Sequence, residues 1–264
     1  MGILLEVIEG QDYQFESLSI KDWAALAACR SGVYGFLGAV YSRVPDNQLI
    51  EKLLNPDLIN FLMSLQRTEN LSEEMREGLR LIEDFIQSSQ GRPMNELRKE
   101  LTVERTRLFR GLKPIYSPPP PYESVYLSSD QLPLIQATAA VARAYSEMDV
   151  FLPEEVRDQP DFIGYELDFM RRLTDREAQA WNQGKKDLAL KLLEKEQEFL
   201  EGHLIRWIPS CCDALLKWAK LHFYMGLIKV TKGFVMEEAR KTKELLRWAR
   251  SFAATNERGG QRNG

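Results

Sequence analysis

Apolar residues recur at helical spacing along nearly the whole chain, and that period predicts a succession of amphipathic helices. Trp23, Leu26, Ala27, Val33, Tyr34, Leu37, Val40 and Tyr41 form one stripe, which ends before Pro45. Leu53, Leu54, Leu58, Phe61, Leu62 and Leu65 form a second, broken or kinked near Pro56. Met75, Leu79, Ile82 and Ile86 form a third, with Ser72 placed as its N-cap. Leu97, Leu101, Leu108 and Phe109 form a fourth, stopped at Gly111. Pro133 opens a helix to about Met148, and another carries Phe162, Ile163, Leu167, Met170 and Leu173 up to the break at Gly184. From Leu188 to Trp207 the repeat falls on 189, 192, 193, 196, 200, 203, 204 and 207, and Pro209 kinks or restarts that helix. The stretch Cys211–Val230, apolar on nearly all sides, predicts one central buried helix, and a last helix covers about Val235 to Phe252.

No alternating run of strand length interrupts this pattern, and no internal repeat is present. The prediction is an all-α bundle of roughly nine to eleven helices. Residues 1–148 form an N-terminal half containing a proline-rich arm at 114–126. Residues 149–160 form a hinge loop, 161–254 a C-terminal half and 255–264 a disordered tail, with the halves packing as one domain.

The run Pro118-Pro119-Pro120-Pro121 fixes φ and removes four backbone donors, so it fits neither a helix interior nor a central strand. It predicts an extended polyproline II arm that delivers Tyr122, Glu123 and Tyr126, as a recognition surface or as a rigid linker between helical blocks. Charge sharpens the picture nearby. From Glu147 to Asp168 there are eight acids and one base, which reads either as helix capping on a solvated face or as a docking site for a cationic partner.

Composition changes little else. At 44% apolar and 28% charged, the 264 residues are those of an ordinary globular protein. A net charge of −4 argues against a broad nucleic-acid-binding face. The longest uncharged runs, Ser31–Ser42 and Gln131–Ala142, have 12 residues each, against the roughly 20 apolar residues of a membrane span. Glu6 and Glu9 without a basic flank do not read as a signal peptide, and position 6 lacks the Ser or Thr of a myristoylation motif. Three cysteines, two of them adjacent, make no disulfide framework, so the expectation is a cytoplasmic protein with reduced thiols.

Catalytic machinery is absent from the sequence. Neither His203 nor His222 follows a Glu by three residues, and no zinc motif, nucleophile elbow or phosphate loop occurs. His203, on its helix's apolar stripe, reads as a hydrogen-bonded core histidine, and Cys211 and Cys212 as inert core thiols. Glu166 shares a face with Phe162, Ile163, Met170 and Leu173. A carboxylate there needs a partner such as Arg30 or Tyr122, or else holds a raised pKa or awaits a cation.

Four stretches together resemble one family. They are Arg30-x3-Tyr34-x2-Leu37-x3-Tyr41 with Pro45; Arg107–Gly111 through Pro121-Tyr122-Glu123-Ser124-Val125-Tyr126; Gln159-Pro160-Asp161-Phe162-x3-Glu166-Leu167-x-Phe169-Met170; and Phe199-Leu200-x2-His203-Leu204-x2-Trp207-x-Pro209. Their order and spacing are similar to the TorD/NarJ family of redox-enzyme maturation chaperones. The resemblance implies a TorD-like, all-helical cytoplasmic protein without catalysis, metal or cofactor. Its partner would be the immature catalytic subunit of a molybdenum-cofactor oxidoreductase, held through its N-terminal twin-arginine signal region until the cofactor is inserted. The family's loop is usually Glu-Pro-Asp-His, whereas this chain has Gln159 and Phe162 around Pro160 and Asp161.

The expected peptide site is a groove framed by the arm and the 151–162 loop over the end of the Arg107–Gly111 helix. Phe109, Tyr122, Ser124, Tyr126, Pro160 and Phe162 would contact the client, and Glu123, Asp161 and Glu166 would pair with its arginines. Arg30, His203 and Trp207 would line or support the pocket. No nucleic-acid partner and no stable membrane insertion are expected, and the oligomeric state stays open between a monomer and a domain-swapped dimer. Three alternatives remain: a nitrate-reductase-type assembly chaperone whose client is not exported, a nucleotide-dependent cofactor-handling protein, and a helical scaffold that binds a folded partner without any peptide groove.

Overall fold

The computed structural model of the chain describes residues 18–57, 60, 63, 71–110, 117–127, 134–152 and 159–260. Among them the regular elements are helical: α1 (Ile20–Ser42), α2 (Asn47–Leu53), α3 (Glu73–Ser89), α4 (Met94–Phe109), α5 (Glu123–Leu127), α6 (Leu134–Glu147), α7 (Ile163–Asn182), α8 (Lys186–Phe199), a π-helical turn (Leu200–Leu204), α9 (Ile205–Leu216) and α10 (His222–Gly260). Among the described residues extended pairing is limited to one antiparallel bridge, Tyr122 with Phe162. The all-α bundle holds.

Local chemistry starts the helices. Ser19 and Asp22 form a reciprocal capping box before α1, Asp46 caps α2, and the Ser72 hydroxyl accepts from the Met75 amide at the start of α3. Gly184 ends α7 at φ +68°, a left-handed turn that only glycine adopts without strain. Gly111, Pro133 and most of the second stripe lie outside the described residues.

α1 packs along α7, and α3 along α10, so helices from both ends of the chain share one hydrophobic core. Each pair meets at a glycine. A Cβ on Gly38 of α1 would lie 3.0 Å from the Gly164 carbonyl of α7, and one on Gly78 of α3 would lie 2.8 Å from the Gly226 carbonyl of α10. The backbones approach that closely because no side chain stands between them.

By length and composition alone α1 could cross a membrane. Here its buried face carries Trp23, Tyr34, Leu37 and Tyr41 into the core, together with the charged Arg30.

Three elements differ from the periodicity. The apolar stretch from Cys211 is two helices, because α9 ends at Leu216 and α10 restarts at His222. The restart is capped from elsewhere: Glu104 of α4 accepts from the amides of Lys220 and Leu221. α10 then continues through Gly260, beyond the expected end at Phe252. The long stripe from Leu188 is interrupted by the π-turn, which takes up Glu201, Gly202 and His203, and Pro209 lies within α9.

Candidate functional site

The proline run does not project as an arm. Pro118 and Pro121 are buried and Pro119 is exposed, so the run lies against the body and delivers Tyr122 into the bridge with Phe162. Two backbone bonds flank that bridge: the Glu123 amide donates to the Asp161 carbonyl at 2.9 Å, and the Ile163 amide donates to the Pro121 carbonyl at 3.0 Å. The Asp161 carboxylate accepts from the Ser124 amide at 3.0 Å, capping the entry to α5. Segments nearly forty residues apart thus form one small ladder. It gathers Tyr122, Glu123, Ser124, Pro160, Asp161 and Phe162 at the N-terminus of α7.

Aromatic rings cover the ladder. Phe162 packs between Tyr122 (5.3 Å) and Tyr165 (5.4 Å), and Tyr126 stacks on Trp207 at 5.8 Å while its hydroxyl donates to the Pro119 carbonyl. Tyr145 of α6 donates to the Pro160 carbonyl at 2.9 Å, which ties the loop to the bundle.

Beneath the rings the expected groove is closed. Glu123 is 2% exposed, Asp161 and Glu166 are fully buried, and Phe162 is 3% exposed. The expectation that these three carboxylates line an accessible trough is therefore corrected for this conformation: they face inward. Glu123 receives His203 Nδ1 at 2.8 Å, and Glu166 accepts from the Trp207 indole N–H at 3.0 Å. As carboxylates, Asp161 Oδ1 and Glu166 Oε1 are buried without a donor. Burial, reinforced by the charges of Glu123 and Asp161, pushes the Glu166 carboxyl well above its ordinary range despite the Trp207 bond. Holding that proton, Glu166 becomes a donor within reach of Glu123.

Two residues expected at the site lie elsewhere. Phe109 is 1% exposed and packs on Tyr41 (5.0 Å) and Tyr224 (5.7 Å), in a separate aromatic cluster. Arg30 does not partner Glu166. Its guanidinium reaches Glu196 (2.6 Å), Glu238 (2.8 Å) and Glu177 (3.1 Å), all buried, and so joins α1 to α7, α8 and α10. Those three acids were missed in the sequence. Position 196 falls on the apolar stripe of its helix, as 30 does on its own, and two opposite charges on buried faces were the available signal.

His203 has two sides. Nδ1 is fixed by buried Glu123, the ring stacks on Phe199 at 4.6 Å, and the side chain is 15% exposed. It lines a hollow of about 220 Å³ between α6 and α8, walled by Arg143, Ala144, Phe169, Lys195 and Phe199. The π-turn that carries it is a feature often found where helices serve binding. Among the described residues no group of three or more His, Cys, Asp or Glu could hold a metal ion.

Comparison with known proteins places this ladder in a shared region. Residues 68–213 match the family described as nitrate reductase delta subunit, a span that includes every residue from Pro118 to Cys211 discussed above. The chaperone protein TorD of Vibrio parahaemolyticus serotype O3:K6 (strain RIMD 2210633) is 20% identical over 205 residues, covering 78% of this chain and 90% of that protein. The chaperone proteins TorD of Vibrio vulnificus strains CMCP6 and YJ016 are each 23% identical over 208 residues, covering 78% of this chain and 91% of theirs.

Proposed function

We infer the function from one premise: the chain belongs to the nitrate reductase delta subunit family, among the TorD/NarJ chaperones. It is a maturation chaperone and not an enzyme. Its client is the immature catalytic subunit of a molybdenum-cofactor oxidoreductase, held in the cytoplasm while the cofactor is inserted. Contact is made at the ladder of 117–127 and 159–166, through the N-terminal signal region of the client.

One observation carries the site assignment. The bridge brings two of the motif stretches into a single patch of aromatics over acids, at the N-terminal end of α7. Exposed Pro119 and Gln159, with half-buried Tyr122, Tyr126, Pro160 and Tyr165, form its outer surface. Such a surface suits an extended apolar segment. Phe162 stands where the family's loop usually has histidine, and its ring is buried between two tyrosines, so the loop binds by packing and not by titration.

The test is affinity purification from the native host, with identification of the bound polypeptide by mass spectrometry. An immature molybdoenzyme subunit is the expected partner, and repeated recovery of none would refute the reading. Calorimetry against the identified N-terminal peptide then tests the site. Glu123→Ala with Asp161→Ala removes the His203 contact and the Ser124 cap that hold the ladder, and should weaken binding by about tenfold or more, roughly 1.4 kcal/mol, while the far-ultraviolet spectrum stays helical. Whether the client is exported follows from the presence of paired arginines in the recovered subunit.

A further inference from the structure

His203 belongs both to the ladder and to the hollow beside it. Its Nδ1 is committed to Glu123 at 2.8 Å and its ring lies on Phe199 at 4.6 Å, so the imidazole is held at one angle. Nε2 has no partner among the described residues and is not sealed from solvent. With the Nδ1 proton given to the carboxylate, Nε2 accepts a hydrogen bond while the ring is neutral and donates one when the ring is charged. A group that meets it in both states must itself donate and accept, as a hydroxyl does.

The hollow fixes the rest of the occupant. Its volume of about 220 Å³ lies below the roughly 300–1,000 Å³ of sites for cofactors and drug-sized ligands, so it suits one ring. Phe169, Phe199, Ala144 and Met148 give it apolar walls. Charge at the mouth is balanced: Lys195 pairs with Glu198 at 2.6 Å and lies 3.9 Å from Glu147, and Arg143 is the second base. Two bases against two acids select neither an anion nor a cation.

We propose that the hollow between α6 and α8 is a socket for a phenol ring, hydroxyl on His203 Nε2, and that its occupant is a tyrosine side chain of the client. The proposal rests on the client reading above and adds a second contact, apart from the outer surface of the ladder. Tyrosine suits the part because its apolar body and polar tip make it a common interface anchor. Seating the ring also steadies Glu123 at the start of α5, since both hold the same imidazole.

The first test needs no client. His203 and His222 are the two histidines of the full chain, so protein labelled with carbon-13 at histidine Cε1 gives two imidazole signals, assigned with the exposed His222→Gln variant. Millimolar 4-methylphenol should shift the His203 signal and leave that of His222 in place. Toluene lacks the hydroxyl and 4-methylbenzoate carries a charge, so each should bind at least about threefold more weakly. Ala140→Leu fills the hollow from α6 with a residue that keeps helix propensity, and should abolish the shift while the His203–Glu123 pair stays in place. No shift with 4-methylphenol, equal binding of toluene or 4-methylbenzoate, or an undiminished shift in Ala140→Leu overturns the socket and leaves the client reading standing. With the recovered client subunit, Ala140→Leu should weaken binding at least threefold, and 4-methylphenol should compete. Client binding indifferent to both overturns the tyrosine assignment even where the phenol binds, whereas recovery of no client refutes the client reading and not the phenol site.

Discussion

Replacing Arg30 by methionine tests how the two ends of the chain are held together. The guanidinium is 5% exposed and touches three glutamates at 2.6–3.1 Å, whose side chains are 3%, 0% and 7% exposed. Burial opposes the charge on Arg30, but Glu196, Glu238 and Glu177 overcome it and hold the pKa above its ordinary value. If every group were ionised, three carboxylates and one cation would bury a net charge of −2. Burial raises Glu196 well above the usual carboxylate range, so it keeps a proton and can donate to Glu177, which in turn accepts from the Trp181 indole at 2.9 Å. Methionine fills a similar length without charge and leaves the remaining acids uncompensated. Removing one partner of a buried ion network costs about 3–5 kcal/mol. At about 2 °C per kcal/mol for a chain of this size, the melting temperature should fall by roughly 6–10 °C. The assay is thermal and guanidinium unfolding followed by circular dichroism. Adding Glu196→Leu should restore part of the loss, with a coupling of about 1 kcal/mol or more in the double-mutant cycle. An Arg30→Met protein that melts within about 2 °C of the wild type, or strict additivity in the cycle, would refute the reasoning.

The same buried acids set a pH dependence. Glu166, Glu177 and Glu196 all have folded pKa values raised, mainly by burial, above the ordinary 4.5. Their contribution is therefore fully present below 4.5 and drains away as pH rises through the raised values, so stability should fall from pH 5 toward alkaline conditions. Glu196→Gln should flatten that slope, and a melting temperature that rises with pH would contradict it. Asp168 works the other way: burial tends to raise it, but Arg171 and Arg172 draw it below 3.8, so its effect is confined to acid. Gly226→Ala should cost about 1–3 kcal/mol by forcing α3 and α10 apart. Gly32→Ala, exposed on α1 with nothing within 4 Å of the new methyl, should be neutral or stabilising by up to about 1 kcal/mol; equal melting of the two variants would remove the close-approach argument. Burial raises the thiols of Cys211 and Cys212 and leaves half-buried Cys29 the most accessible. A thiol reagent should therefore titrate one cysteine in the native protein and all three after unfolding.

The helices were written in the sequence because their causes are local. Ser19, Asp46 and Ser72 cap the helices that follow them, Gly184 terminates α7, and the stripe from Trp23 to Tyr41 marks the face that α1 buries. Period 3.6 reports that a face is covered and carries no record of what covers it. The partners of Arg30 lie 147, 166 and 208 residues away, and the cap of α10 comes from Glu104 on α4, so neither leaves a trace in the spacing of neighbours. The motif residues Tyr122, Glu123, Asp161, Phe162 and Glu166 were identifiable as a group, and the structure does assemble them. Their burial was not legible, because four consecutive prolines say only that the chain is extended. Whether an extended segment stands in solvent or lies on the body depends on backbone bonds such as those between 121–123 and 161–163, which join residues that only the tertiary fold places side by side.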